Sequence, residues 1–131
     1  NEKKLANQIY GYNMELADPG VFLIMAMCSP QASVETLEKE ILTELEKIKN
    51  GDVTQAELDK VKINTKAEFI YSLESSSSVA GLYGEYLVKG NLQPLLDYEE
   101  KLDKITLKDI SDTAKKYFDH DFSTTVILKK N

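Results

Sequence analysis

The residues of this chain that could take part in chemistry concentrate in one run, SLESSSSVAGLYGEYL, from Ser72 to Leu87. The run contains Tyr83, whose phenol could donate a hydrogen bond to an oxygen that gains negative charge during a reaction. The four serines before it, Ser75 to Ser78, are poor nucleophile candidates, because no histidine lies near them and no G-x-S-x-G elbow is present. We expect the serines to cap a helix, which leaves Tyr83 as the candidate site residue.

Tyr83 also has a simpler interpretation as a core residue. It shares helical spacing with the apolar side chains of Val79, Leu82, Tyr86 and Leu87, and stripes of this kind more often pack inside a protein than form a site. Both interpretations stay open at this point.

Metal ligands are scarce in the chain. Its one histidine, His120, stands in Asp119-His120-Asp121, and its one cysteine, Cys28, ends the apolar run VFLIMAMC. A zinc site needs three or four ligands at suitable spacing. We therefore expect His120 to lie in a loop and Cys28 to be a small buried side chain, with no metal site and no catalytic residue in this chain.

The composition of the chain excludes several classes of function. The formal charge is −6, and acids and lysines alternate without a basic patch, which disfavours nucleic-acid binding. No apolar run approaches the roughly 20 residues that span a bilayer. All sixteen basic residues are lysines, so no site can use a bidentate guanidinium. The length of 131 residues predicts a single domain, 1–131, and the start without methionine suggests a piece of a larger protein.

Two strands are predicted near the start of the chain. Residues Tyr10 to Leu16 alternate in polarity like a half-buried strand, and Val21 to Cys28 are apolar like a strand covered on both faces. Between them, Asp18-Pro19-Gly20 predicts a turn, in a connection longer than two residues.

Helical periodicity follows, with clear start and stop signals. Ser33 is a plausible N-cap of the first helix, Asn50-Gly51 its stop, and Thr54 with Glu57 forms a capping box that opens a second helix ending near Ser72. The predicted inner residues of the second helix are Leu58, Val61, Thr65 and Phe69. Further helices are expected after the serines, from Pro94, and from Thr106 to about Asp119, the last with Ile110, Ala114, Tyr117 and Phe118 inward.

The β-branched run from Phe122 to Lys129 predicts a closing strand. The order is then strand, strand, four or five helices, strand. This segregation of elements predicts an α+β fold, in which helices pack on one face of a largely antiparallel sheet.

Four segments in this order carry a resemblance to a known family: LADPGVF from Leu16, LEKEILTELEKIKNGDVTQAELDKVK from Leu37, SLESSSSVAGLYGEYLVKGN from Ser72, and LDKITLKDISDTAKKYF from Leu102. With the terminal TTVILKK, nearly the whole chain resembles the later part of the second, non-catalytic domain of pitrilysin/insulinase-family zinc peptidases, the group that includes mitochondrial processing peptidase.

The resemblance implies one half-domain of a clamshell that closes over an unfolded peptide. Members of the family carry the zinc motif H-x-x-E-H in their first domain, and this chain has no such motif. Zinc is therefore expected in a missing catalytic domain, and hydrolysis by this chain alone is not expected. The second domain of active relatives often contributes an arginine and a tyrosine that reach toward the substrate carbonyl. Tyr83 matches the tyrosine, whereas Ser76 stands at the arginine position.

The resemblance predicts a substrate-clamping domain whose partners are a peptide substrate and a catalytic domain, in the same chain or in a partner subunit. Two alternatives are a catalytically dead assembly subunit, which the serine at position 76 favours, and a stand-alone protein-interaction module. An unpaired sheet edge would also allow a homodimer of the isolated piece.

Overall fold

A computed structural model describes residues 4–14 and 20–128 of the chain. These residues form two strands, six α-helices and one short 3-10 helix. The strands are β1 (Ala6–Asn13) and β2 (Phe22–Cys28), and the helices are α1 (Val34–Lys49), α2 (Gln55–Ser72), α3 (Ser76–Val88), α4 (Gln93–Leu96), α5 (Tyr98–Lys104) and α6 (Leu107–Tyr117). The predicted α+β class is confirmed.

The chain divides into two compact units. The strand unit comprises Asn1–Lys47 with Tyr117–Asn131, and the helical unit comprises Ile48–Lys116. The prediction of one domain over residues 1–131 stays a prediction.

In the strand unit, β1 pairs with β2 in an antiparallel ladder from Ala6↔Cys28 to Asn13↔Phe22, with an irregularity between Ala6 and Gln8. The Met14 amide continues the pairing by donating to the Val21 carbonyl at 3.0 Å. The connection is therefore longer than two residues, as predicted. Asp18 and Pro19 of the predicted turn lie outside the described residues, as does Leu16.

One face of this two-stranded sheet carries the side chains Tyr10, Tyr12, Leu23, Met25 and Met27, all of which are exposed. On the other face, the Phe22 ring lies over Gly11, where an added Cβ would approach the ring to 3.0 Å, and it packs at 5.3 Å from the Phe118 ring. The prediction that β2 is covered on both faces is wrong for the described residues. An apolar run indicates that a strand gains stability when both of its faces are buried. Whether they are buried depends on other layers of structure that cover them.

The predicted closing strand, Phe122 to Lys129, is not formed over its described residues 122–128. Within residues 120–128, His120–Phe122 is a 3-10 helix, and 123–128 pair with no strand in the described part of the chain. Val126 and Leu128 are exposed. β-branched composition favours extended backbone, yet a strand exists only when another strand completes its hydrogen bonds.

In the helical unit, local capping contacts fix the helix starts. The Thr54 amide donates to the Glu57 carboxylate at 2.8 Å, and the Glu57 amide donates to the Thr54 hydroxyl at 3.3 Å. Thr106 and Asp109 exchange the same pair of contacts at the start of α6. The predicted capping box of α2 and the predicted helix start at Thr106 are confirmed. The predicted stop at Asn50-Gly51 is confirmed as well, since Gly51 has a φ of +84° that other residues rarely adopt, and Gly90 after α3 has a φ of +78°.

The apolar faces of two helices differ from the predicted stripes. In α2, Leu58 is buried and Phe69 half-buried, but Val61 is 58% exposed. In α6, Ala114 is buried, whereas the predicted inner residue Tyr117 is exposed. The helix that was expected from Pro94 is split at Asp97 into α4 and α5.

The capping box of α2 makes a pH-dependent contribution to stability. The hydrogen bond from the Thr54 backbone, with help from its hydroxyl, lowers the pKa of Glu57 below its ordinary 4.5. The unfolded chain then binds the proton more tightly than the folded chain, so this stabilisation is present above pH 4.5 and is lost as the pH falls through the lowered value.

We expect Glu57→Gln to weaken the acid dependence of α2 below pH 4.5, because glutamine can still accept from the Thr54 amide but does not titrate. Hydrogen exchange of the α2 amides at several pH values measures this. Glu68→Gln, which removes a charge from an exposed position of the same helix, is the control. Equal acid dependence in wild type and Glu57→Gln would contradict the expectation.

Candidate functional site

The serine run acts as the start of α3. The Ser78 amide donates to the Ser75 hydroxyl at 3.0 Å, and these two hydroxyls lie 2.7 Å apart. Ser75 is therefore the N-cap, which confirms the capping interpretation of the serines. The cap sets the phase of the helix and thereby the direction in which Tyr83 points.

Tyr83 lies in the second half of α3 and is 38% exposed. It lines a cavity of about 430 Å³ in the helical unit, which we call the Tyr83 cleft. The other lining residues are Phe69 and Leu73 from the end of α2, Leu95 and Leu96 from α4, and Glu99 and Glu100 from α5. The two interpretations of Tyr83 are thus compatible: its ring adjoins apolar side chains, and part of it is exposed to solvent.

The walls of the Tyr83 cleft are held by packing between helices. The Phe69 ring stacks on the Tyr98 ring with centroids 4.7 Å apart, which joins the end of α2 to the start of α5. Leu95 is buried, whereas Glu99 and Glu100 are exposed. The cleft therefore has an apolar floor and carboxylates on its solvent side.

The turn from α4 into α5 is fixed by a side-chain hydrogen bond. Gln93 donates to the Asp97 carboxylate at 2.6 Å, and this bond, with the nearby Lys101, lowers the pKa of Asp97. Asp97 therefore stays ionised at neutral pH. The break at Asp97 separates the pair Leu95 and Leu96 from Glu99 and Glu100, so that both pairs can line one cavity.

The partners of Tyr83 in the cleft were not predicted. Glu99 and Glu100 are exposed on α5, and as adjacent carboxylates on a helix they carry no sequence signal of a site. The sequence does not predict that α2, α3, α4 and α5 come together around one cavity, because this arrangement depends on packing between helices and not on a local pattern.

Ser76, which stands at the arginine position of the resemblance, is the first residue of α3. It lies seven residues before Tyr83, which is about two helical turns on the same side of the helix. Ser76 is not among the residues that line the cleft. A neutral hydroxyl at this place supplies no charge to a substrate.

The residues that the structure describes do not assemble a zinc site. His120 is exposed at the start of the 3-10 helix, and among residues 4–14 and 20–128 no cluster of three or more His, Cys, Asp or Glu side chains could hold a metal. Cys28 is half-buried, and its Sγ lies 3.4 Å from the Ala32 carbonyl oxygen.

A lysine cluster that the sequence did not reveal ties α2 to the end of α5. The Lys62 ammonium donates to the carbonyls of Asp103 and Ile105 at 2.8 and 2.6 Å, and Lys66 pairs with the Asp103 carboxylate at 2.6 Å. Cations near carbonyls at a helix C-terminus are favourable. This cluster positions α5, which supplies two of the residues that line the Tyr83 cleft, Glu99 and Glu100.

Part of the chain matches a known domain family. Residues 1–65 match the family model described as the Peptidase M16 inactive domain. The zinc protease PqqE of Helicobacter pylori is 49% identical over 129 residues, which is 98% of this chain and 29% of that protein. The mitochondrial-processing peptidase subunit beta of Saccharomyces cerevisiae is 31% identical over 108 residues, or 81% of this chain and 23% of that protein.

Solved structures agree with these sequence relationships. The crystal structure of a protease from Helicobacter pylori superimposes with a TM-score of 0.84 at 49% identity, covering 90% of this chain and 29% of that chain. An inactive peptidase domain from Bordetella parapertussis gives 0.82 at 18% identity, covering 99% and 71%, and shows the fold alone. The chain spans less than a third of the length of the curated relatives it matches. It belongs to the pitrilysin (M16) family of zinc peptidases and corresponds to part of the family's inactive domain.

Proposed function

We propose that this chain is the substrate-clamping, non-catalytic domain of a zinc-dependent metalloendopeptidase that acts on peptides. The observation that carries the proposal is the Tyr83 cleft: a partly exposed phenol beside an apolar cavity of about 430 Å³. Such a volume lies in the range of about 300–1,000 Å³ typical of ligand sites. The zinc ligands and the catalytic domain lie outside these 131 residues, in the same protein or in a partner subunit.

The proposed contribution of this domain is to enclose the peptide and to orient it. Apolar walls exclude water from bound side chains, and the Tyr83 hydroxyl donates a hydrogen bond to a carbonyl oxygen of the peptide. The single-domain organisation over residues 1–131 belongs to the same proposal.

A second candidate is a catalytically dead assembly subunit of the same family. The observation that favours it is Ser76 on α3, together with the absence of arginine from the whole sequence, because neither supplies the charge that the family resemblance implies next to Tyr83. This candidate predicts that the phenol of Tyr83 has no influence on peptide turnover.

Tyr83→Phe separates the two candidates. In the full-length protein with its catalytic partner, we expect the substitution to lower the turnover of a quenched fluorescent peptide at least several-fold, because the ring stays in place while the hydrogen-bond donor is removed. Tyr71→Phe is the matched control, since Tyr71 is exposed on α2 and does not line the cleft. Unchanged turnover in Tyr83→Phe, with unchanged thermal stability, would remove the hydroxyl from the site.

A further inference from the structure

The turn between α1 and α2 contains the one asparagine of this chain that precedes a glycine, in Asn50-Gly51. Both residues are exposed, and Gly51 has a φ of +84° with open space where a Cβ would stand. Because glycine has no Cβ, its backbone nitrogen is sterically open to the side-chain carbonyl carbon of the asparagine before it. The turn therefore holds the electrophile and the nucleophile of a ring closure next to each other.

From this arrangement we propose that Asn50 is a site of spontaneous modification, at which the side chain deamidates through a succinimide. Hydroxide removes the amide proton of Gly51, the nitrogen lone pair forms a bond to Cγ of Asn50, and the side-chain nitrogen takes a proton from water and leaves as ammonia. Water then opens the ring. Breaking the new bond between Cγ and nitrogen gives aspartate, whereas breaking the original peptide bond gives isoaspartate, whose main chain contains an additional methylene.

The other asparagines that the structure describes are less well placed for this reaction. Asn7 and Asn13 lie in β1 and Asn64 lies in α2, and regular elements restrict the backbone movement that ring closure needs. None of the three precedes glycine. The Asn91 side chain accepts a hydrogen bond from a nearby backbone amide at 3.0 Å, and a leucine follows it. The reaction should therefore concentrate in the turn between α1 and α2.

Two hydrogen bonds in the helical unit oppose the reaction. The Gly51 amide donates to the Ile48 carbonyl at 3.1 Å, so the nitrogen can attack only when this bond opens. Just before the turn, the buried Ser111 hydroxyl donates to the Lys49 carbonyl at 2.9 Å and ties the end of α1 to α6. The rate of deamidation is then set by local opening of the turn, which Ser111 makes less frequent.

Modification would weaken the end of α1. Asn50 follows Lys49, the last residue of this helix, where free carbonyls carry partial negative charge, so a new carboxylate there is unfavourable. The additional methylene of isoaspartate also displaces Gly51 from the position in which its amide meets the Ile48 carbonyl. Hydrogen exchange of the amides at the end of α1 should therefore be several-fold faster in the modified protein.

The test is peptide mapping by mass spectrometry of the full-length protein during incubation in mildly alkaline buffer. We expect Asn50 to convert to aspartate and isoaspartate at least roughly tenfold faster than the other described asparagines, because only its neighbour lacks a Cβ. Conversion should slow in mildly acidic buffer, since hydroxide removes the proton. Asn50→Gln should show no comparable conversion at this position, because glutamine would have to close a larger ring. Equally slow conversion at all of these asparagines would overturn the inference.

Ser111→Ala tests whether the fold controls the reaction. Loss of the hydrogen bond to the Lys49 carbonyl should accelerate deamidation of Asn50 roughly three- to tenfold, because the turn opens more often. Thr113→Ala, which removes an exposed hydroxyl from the same helix, is the matched control and should retain the wild-type rate. Equal rates in Ser111→Ala and Thr113→Ala would overturn the role of Ser111. An acceleration matched by equally faster hydrogen exchange throughout α3 would overturn it too, since it would report global unfolding.

Discussion

Replacing Leu58 by alanine is expected to destabilise the helical unit by about 2–5 kcal/mol, the range measured for leucine-to-alanine changes in protein cores. Leu58 is 5% exposed and lies in the first turn of α2, directly after the capping box. The substitution removes buried methyl groups and leaves a cavity that the backbone closes only partly. Few other side chains are buried as deeply among the described residues, so the helical unit has little other core to compensate.

Hydrogen exchange of the α2 amides in the full-length protein measures this effect directly. A loss of 2–5 kcal/mol corresponds to roughly 30- to 5,000-fold faster exchange through opening. Val61→Ala is the matched control, because Val61 is 58% exposed on the same helix and alanine is the better helix former. Exchange that accelerates in Val61→Ala but not in Leu58→Ala would contradict the burial of Leu58 and the exposure of Val61.

The second large effect is expected for Lys62→Met. Methionine keeps a flexible apolar stem of similar length, but the carbonyls of Asp103 and Ile105 lose the ammonium that donates to them at 2.8 and 2.6 Å. The Ile105 contact is partly buried, and we expect a loss of about 1.5 kcal/mol, typical of a hydrogen bond to a charged group. The C-terminal end of α5 should open first, because both carbonyls belong to it.

The expected signature is that Lys62→Met accelerates hydrogen exchange, relative to wild type, more at the end of α5 than at the start of α2. Lys60→Met serves as the control, because Lys60 is exposed on the same helix and forms no hydrogen bond or ion pair within the described residues. The Lys62→Met variant should also weaken peptide binding modestly, since α5 carries Glu99 and Glu100 of the Tyr83 cleft. Equal hydrogen-exchange protection of α5 in Lys62→Met and Lys60→Met would contradict the claim that the Lys62 hydrogen bonds stabilise the end of this helix.

Helix boundaries could be predicted from the sequence because their causes are local. Thr54 with Glu57, and Thr106 with Asp109, each satisfy amides within four residues of one another, and Ser75 caps α3 in the same way. The residues that decide such contacts stand next to each other in the sequence.

Burial was predicted less well, because it depends on elements distant in the chain. Val61 has the spacing of a core residue, yet the adjacent Lys62 is the half-buried one, since its ammonium has two carbonyl acceptors about forty residues later. The apolar run of β2 and the β-branched run 123–128 predict extended backbone, but no local signal tells whether another strand or layer covers them.

The candidate site was predicted in part for the same reason. The position of Tyr83 in a helix that starts at the serines follows from periodicity and capping. Its place beside a cavity does not, because the cavity depends on the break at Asp97 and on the stacking of Phe69 with Tyr98. Both arise from tertiary packing.

The most direct test of the proposed clamping role is photo-cross-linking in the full-length protein. A photoreactive phenylalanine analogue replaces Tyr83 in one variant and Tyr71 in another, and each is irradiated with a labelled peptide. The account predicts a cross-linked product at position 83, suppressed by excess unlabelled peptide, and little product at position 71. Equal cross-linking at the two positions, or none at position 83, would contradict the claim that this domain holds the peptide at the Tyr83 cleft.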